Sequence, residues 1–276
     1  MDGVRGAGQV LPLPVRPAPT SAGASAPSPY ARPDLYDLLF DSLDYDFEFY
    51  LGLARAARGP VLDVACGTGR VMLPLLRAGI DVDGVDLSAA MLARCGDKAH
   101  AEGFAPRLER AAMAAFAMPR RYALVMIPFN AFAHNLTSDE QLACLARCRE
   151  HLAPDGLLAF DVFSPTAAML TEPPGARVLE VEVAHPDTGR PVRLYDARTL
   201  DIVNQVQHSS MDIEELDEAG GVVRHPFYSD LRWVWPVEMA LLLRLAGFAR
   251  WSLWGSLQRT PVAGDTADLV VEAWSA

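Results

Sequence analysis

The chain has 276 residues, 51% of them hydrophobic, and a formal net charge of −11. That is enough apolar residue for one large domain or one domain with an insertion. The acidic balance, with no lysine/arginine run, argues against nucleic-acid binding through phosphate neutralisation.

Residues 1–29 are rich in Pro, Ala, Gly and Ser and lack hydrophobic periodicity, which predicts a disordered or extended arm. Prolines interrupt its short apolar runs, and no run in the chain reaches the roughly 20 residues that span a bilayer, so a cytoplasmic protein with no membrane contact is expected. Two aromatic-acidic segments follow, at residues 36–41 and 44–50. Phe47, Tyr50, Leu51 and Ala54 recur at helical spacing and predict an amphipathic helix packed on a sheet.

Val61, Leu62 and Val64 around Asp63 predict a buried parallel strand. The strand runs into Cys66, Gly67, Thr68 and Gly69, where two glycines permit a sharp turn and close approach of a ligand. A helix is expected over residues 70–78, kinked by Pro74 and capped by Gly79. Strand, turn and helix together form the nucleotide-binding corner of an open α/β sheet. Met72 stands where a dinucleotide fingerprint has its third glycine, and no lysine follows the glycines as in a phosphate-cradling loop. Asp63 on the strand instead suits a ligand with a cationic amine.

Residues 63–69 (Asp-Val-Ala-Cys-Gly-Thr-Gly) resemble the first motif of class I S-adenosylmethionine-dependent methyltransferases. The resemblance covers residues 36–163 and extends more loosely to the C-terminus. It implies an α/β fold with a Rossmann-like, mostly parallel seven-stranded sheet and helices on both faces. It also implies S-adenosylmethionine as cofactor and S-adenosylhomocysteine as product. In many small-molecule members a segment ahead of the first strand caps the cofactor with a tyrosine near the sulfonium. Tyr36 matches that position, the other reading being a core aromatic.

A second strand over residues 81–85 leads to Asp86, about 20 residues past the glycine turn, where a carboxylate accepts ribose hydroxyls. Asp83 is the alternative but lies within the strand. Ser88 caps the next helix, which carries Met91, Leu92 and Cys95 inward. A third strand at residues 107–110 ends near Ala112 and Met113. The family usually has an acidic residue at Ala112 to bond the adenine, so backbone groups and packing from Met113 and Leu87 are expected to take that role. The fourth strand, residues 122–127, continues through Pro128, Phe129, Asn130 and His134. It lacks both the Asn-Pro-Pro-Tyr of DNA and protein-glutamine methyltransferases and the strand-end aspartate that catechol-type enzymes use for magnesium. A metal-independent reaction is therefore expected. The resemblance places the cofactor against Tyr36, Asp63, Ala65, Cys66, Gly67, Gly69, Arg70, Asp86, Leu87, Met91, Ala112, Met113, Ile127, Pro128 and Phe129.

A helix from residue 139 contains Cys144 and Cys148, which are read as buried side chains because no second Cys/His pair completes a zinc site. A fifth strand over residues 157–162 ends at Phe163. Beyond it, short strands are expected at residues 178–183, 192–195, 202–207 and 222–235, with turns at 186–189 and 220–221. They imply an antiparallel β layer, residues 166–235, inserted over the active site. Residues 30–165 and 236–276 would form the cofactor-binding domain, the latter through a helix at 238–245 and strands at 249–254 and 267–274.

The candidate catalytic residues are Tyr36, Asn130 and His134. A neutral imidazole at His134 suits proton removal near pH 7, the competing reading being a turn-capping histidine. Candidate acceptor contacts are Asn130, His134, Phe163, His225, Tyr228, Arg232 and Trp233. The expected activity is in-line methyl transfer to nitrogen or oxygen of a small molecule by a monomer or homodimer, as in the group that includes glycine and amino-sugar N-methyltransferases and natural-product tailoring enzymes. The alternatives are a rearrangement or elimination on the same fold, or a non-catalytic ligand-binding subunit.

Overall fold

The structure is a computed structural model that describes residues 28–275. All but the last two residues of the expected N-terminal arm lie outside the described residues. Pro29–Ala31 forms a 3₁₀ turn, followed by helices α1 (Pro33–Phe40) and α2 (Phe47–Ala57).

Seven strands build the main sheet. They are β1 (Val61–Val64), β2 (Val82–Asp86), β3 (Leu108–Arg110), β4 (Tyr122–Ile127), β5 (Leu152–Phe163), β10 (Arg250–Trp254) and β11 (Asp268–Trp274). Their order is β10-β11-β5-β4-β1-β2-β3. Strands β1 to β5 pair in parallel, and β11 runs antiparallel to both β5 and β10. The chain winds outward from β1 through β2 to β3, then returns to lay β4 on the other side of β1. The crevice for a ligand therefore opens at the carboxyl ends of β1 and β4.

Successive residues of β1 point to opposite faces, and both faces are covered. Leu62 and Val64 join α5 (Ser138–His151) and α7 (Pro236–Leu245) through Leu145, Cys148, Met239 and Leu243. Val61 meets α2, α3 (Met72–Arg77) and α4 (Ala89–Ala101) through Tyr50, Leu75 and Leu92. Cys144 and Cys148 are buried free thiols in the first of these layers.

Helix α3 begins at Met72 rather than residue 70, so Pro74 falls in its first turn, where the missing N–H is one that has no intrahelical partner anyway. Met72 is fully buried, and a Cβ at Gly84 of β2 would come within 3.1 Å of its sulfur. The close helix–strand approach that a third motif glycine would allow is achieved here by a glycine on the neighbouring strand.

After the short helix α6 (Ala167–Thr171) comes a second sheet, β6 (Arg177–Ala184), β7 (Pro191–Asp201), β8 (Val206–Leu216) and β9 (Val222–Arg232), antiparallel throughout. The strand expected at residues 202–207 is mostly a turn. Asp201 accepts from the backbone N–H groups of Val203 and Asn204 at 3.1 and 3.0 Å, and Gln205 has φ 58°. The eleven-residue β8 that follows is too polar for its periodicity to stand out.

One end of this sheet rests on α1, where Val192, Leu194, Ile213 and Phe227 pack against Leu35 and Leu39. The other end covers the crevice, closing a cavity of about 1120 Å³. Among the described residues no helix is long and apolar enough to cross a membrane.

Candidate functional site

The strand-end wall of the cavity comes from β1, β2 and β4. Ala65 and Gly67 both take positive φ, 61° and 57°, which turns the chain so that the Cys66 N–H reaches the Val85 carbonyl at 3.0 Å. For an alanine this conformation is strained by about 1–2 kcal/mol, a local cost that marks a constrained loop. A Cβ on Gly67 would meet no protein atom within 4 Å, which leaves the backbone face open. Gly69 is different: a Cβ there would lie 2.9 Å from the Cys95 sulfur, so this glycine serves helix packing and does not line the cavity.

Asp86 is held by two backbone donors, Gly67 N–H at 2.9 Å on one oxygen and Ser88 N–H at 2.7 Å on the other. Burial pushes its carboxyl upward, and these N–H groups oppose the shift. Each oxygen keeps a free lone pair, and the residue lines the cavity beside Leu87, Met91, Ala112 and Met113. Asp83 is already committed, accepting from Arg120 Nε at 2.8 Å and from the Tyr122 hydroxyl at 2.8 Å.

A side pocket opens under Tyr36, bounded by Asp63, Cys66, Gly67, Thr68, Arg70 and Phe129. Asp63 is 2% exposed, its Oδ1 has no partner, and the Thr68 hydroxyl also lacks one. Burial, then the nearby Cys95, holds the Asp63 carboxyl well above the usual carboxylate range, with Arg70 opposing. A ligand ammonium would supply the missing donor. Arg70 contributes packing: its guanidinium pairs with Asp46 at 2.7 and 2.6 Å, donates to the Leu43 carbonyl, and sits 4.6 Å from the centre of the Phe129 ring.

After β4, Phe129 and Asn130 both have positive φ, 61° and 60°. Their N–H groups donate, at 3.0 Å each, to the two oxygens of Asp161 on β5, and the Tyr50 hydroxyl donates to the same carboxylate at 2.6 Å. Burial raises Asp161 to about 6 against the pull of these donors. The loop therefore presents Pro128, the Phe129 ring and the Asn130 amide to the cavity, and Asn130 Oδ1 is buried without a partner. Ile127 is fully buried in the core and does not line the cavity.

His134 ends the 3₁₀ turn Ala131–His134, and its Nε2 lies 2.7 Å from the Tyr30 hydroxyl. Burial pulls the imidazole below its ordinary value, with the Asp230 backbone opposing. Tyr30 is anchored by the Ser88 hydroxyl, which donates to its carbonyl at 2.8 Å. Burial raises the Tyr30 phenol.

The lid wall differs from the sequence expectation. Phe227, Ser229 and Leu231 of β9 face the cavity, so the alternate residue Tyr228 points away and is 57% exposed. His225 lies farther along the strand, bonded to Glu215 at 3.1 Å. Arg232 is buried against Gln141 and Glu238, and Trp233 is fully buried beside Phe163. None of these four lines the cavity, whereas Phe163 does. In their place stand Asp196, Arg198, Gln207 and Met211 of β7 and β8, together with Tyr30, none of which the sequence reading selected. A carboxylate in the apolar stretch of residues 157–163, and charges continuing the alternation of Val192 and Leu194, were the available signals for Asp161 and Asp196.

Residues 61–156 match the family model described as a methyltransferase domain. Over 135 residues the chain is 31% identical to dTDP-3-amino-3,6-dideoxy-alpha-D-glucopyranose N,N-dimethyltransferase from Streptomyces fradiae, covering 46% of this chain and 51% of that protein. The chain spans about half the length of the curated relatives it matches. Among solved structures it resembles the CcbJ methyltransferase from Streptomyces caelestis, with a TM-score of 0.72, 26% identity, and coverage of 90% of this chain and 98% of that one. It shares its fold with S-adenosylmethionine-bound CalS10, an amino pentose methyltransferase from Micromonospora echinaspora, at TM-score 0.65, 23% identity, and coverage of 84% and 90%.

Proposed function

With a class I S-adenosylmethionine-dependent methyltransferase domain as its framework, we propose that this chain transfers a methyl group to a nitrogen or oxygen of a small molecule, without a metal. The observation that carries this reading is the single cavity shared by two kinds of wall. Asp86 and the Gly67 backbone stand on one side, and Asn130, His134 and the lid stand on the other.

The residues fit the cofactor. The free lone pairs of Asp86 suit two ribose hydroxyls, the unpartnered Asp63 carboxylate suits the amine of the amino-acid end, and the open face of Gly67 leaves room between them. Bound there, S-adenosylmethionine supplies an already activated methyl on a sulfonium. The protein's part is to align the acceptor and exclude water. Tyr36 and Phe129, with Arg70 behind the latter, shape the junction between side pocket and main cavity. Asn130 offers an amide oxygen to an acceptor N–H or O–H.

Tyr30 and His134 act as one unit. With the phenol donating to Nε2, its oxygen remains free to accept the acceptor's proton while its own passes to the imidazole. The depressed His134 value keeps that imidazole neutral at pH 7. This assigns Tyr30 the face toward the acceptor and His134 the place behind it. The experiment is calorimetry with S-adenosylhomocysteine, then a search of amine and alcohol acceptors for S-adenosylhomocysteine release. Absence of cofactor binding at millimolar ligand would sink the reading.

A further inference from the structure

The cavity-facing side of the lid sheet changes character along its strands. On β7, Val192 and Leu194 pack on α1, and the same face continues with Asp196 and Arg198, which line the cavity. Across the register, Asp196 stands opposite Met211 and Arg198 opposite Ser209, and Met211 in turn stands opposite Phe227 of β9. A charged pair therefore lies beside an apolar strip on one wall.

Two atoms of that pair are left without a partner. Asp196 Oδ2 accepts from the Ser209 hydroxyl at 3.0 Å, and Gln207 Nε2 donates to the same Ser209 oxygen at 3.0 Å. Asp196 Oδ1, by contrast, accepts from nothing. Arg198 Nη2 donates to Glu180. Its Nε lies 3.3 Å from Asp196 Oδ2, but the N–H is not aimed at that oxygen and is unpartnered as well. Each buried, unpaired atom costs free energy that a bound partner would recover.

A free acceptor and a free donor on neighbouring side chains call for a ligand group that both donates and accepts. An ammonium would satisfy Asp196 but be repelled by the guanidinium, and a carboxylate would satisfy Arg198 but face Asp196 and Glu180. A hydroxyl would have to reach both atoms from a single oxygen. The edge of a primary carboxamide or lactam carries an N–H beside a carbonyl, bears no charge, and divides donor from acceptor as the two side chains do.

We propose that Asp196 and Arg198 together recognise an uncharged amide edge on the acceptor, held as a binding handle while the body of the molecule lies on Met211 and Phe227. The inference rests on the methyltransferase reading and specifies its substrate class.

Ligand-observed NMR titration tests it on the full chain saturated with S-adenosylhomocysteine, using benzamide, benzoate, benzylamine and benzyl alcohol as probes of one shape at neutral pH. Benzamide is expected to bind about fivefold tighter than each of the others, or more, because each of them leaves one buried group unpaired or places a charge against its like. The two side chains should then fail in opposite directions. Asp196→Asn turns the free acceptor into a donor and should shift the preference to benzoate. Arg198→Gln removes the cation and should shift it to benzylamine, and either variant decides the matter if the other fails to fold. Wild-type binding of any other probe as tight as benzamide, binding of none of them, or variants that weaken all four probes equally overturns the proposal. Failure of S-adenosylhomocysteine to bind beforehand would instead break the underlying methyltransferase reading.

Discussion

The strand-end wall and the lid wall bound the same cavity but are built by opposite means. At the strand ends, backbone groups position the polar side chains. Asp86 is fixed by two N–H groups, and Asp161 holds the two left-handed residues Phe129 and Asn130 through their N–H groups. In the lid, side chains hold side chains, as Asp196, Ser209, Gln207, Arg198 and Glu180 do. A backbone-built wall depends on turn geometry, which suits an invariant ligand such as the cofactor. A wall of side chains on a regular sheet can change one residue at a time without disturbing the fold, and that is where acceptor choice is expected to lie.

Substitutions should separate the two walls. The largest effect is expected from Arg70→Met, which leaves Asp46 buried and unpaired beside Leu43. Loss of one partner of such a pair costs about 3–5 kcal/mol of stability, measurable by urea unfolding. A loss near zero would mean that the pair is not buried in solution. Asp86→Ala comes next. Two charge-assisted hydrogen bonds at about 1.5–3 kcal/mol each imply at least about a hundredfold weaker S-adenosylhomocysteine binding. Unchanged affinity by calorimetry would move the ribose elsewhere.

Tyr30→Phe should lower kcat by about 10²-fold, the low end of general-base contributions, with cofactor affinity unaffected. The wild-type rate should rise with pH through a value below the ordinary histidine pKa of about 6.5, because burial depresses His134. An acidic limb above neutrality would exclude His134 as the proton acceptor.

Asp161 gives a smaller, pH-dependent signal. Its folded value of about 6 lies above the roughly 3.9 of an unfolded aspartate. The stability it contributes is therefore fully present below pH ~4 and is lost as pH rises through about 6. Wild-type stability should fall relative to Asp161→Asn across that window, and parallel profiles would refute the assignment. Tyr228→Ser, on the outer face of β9, should change both stability and acceptor binding by less than about 0.5 kcal/mol.

The same contrast explains what the sequence made legible. The cofactor wall is assembled from short contiguous motifs, so the apolar run ending at Val64, the spaced glycines and a carboxylate at the end of the next strand could be recognised without coordinates. Ala112 departs from the family pattern, yet it still lies on the cavity wall beside Met113. The lid wall is assembled from residues on four strands, and its facing depends on register. The turn at residues 202–205, where the sequence predicts a strand, masks the alternation of β8. The aromatic and charged side chains of β9 and the residue after it are conspicuous in sequence but fall on the wrong face, too far along the strand or past its end. Asp161 stands out in sequence only as a carboxylate in an apolar strand, which does not by itself declare a role. One aspartate inside an apolar strand has no spacing partner, and its role appears only when the left-handed loop after β4 lies beside it.

A crystal structure of the S-adenosylhomocysteine complex tests the division of the cavity most directly. The account predicts both ribose hydroxyls on the Asp86 carboxylate and the amine of the homocysteine against Asp63 in the side pocket under Tyr36. The lid face around Asp196 should remain free for the acceptor. A nucleoside lodged against Asp196, Arg198 and Gln207, with Asp86 making no contact, would contradict it.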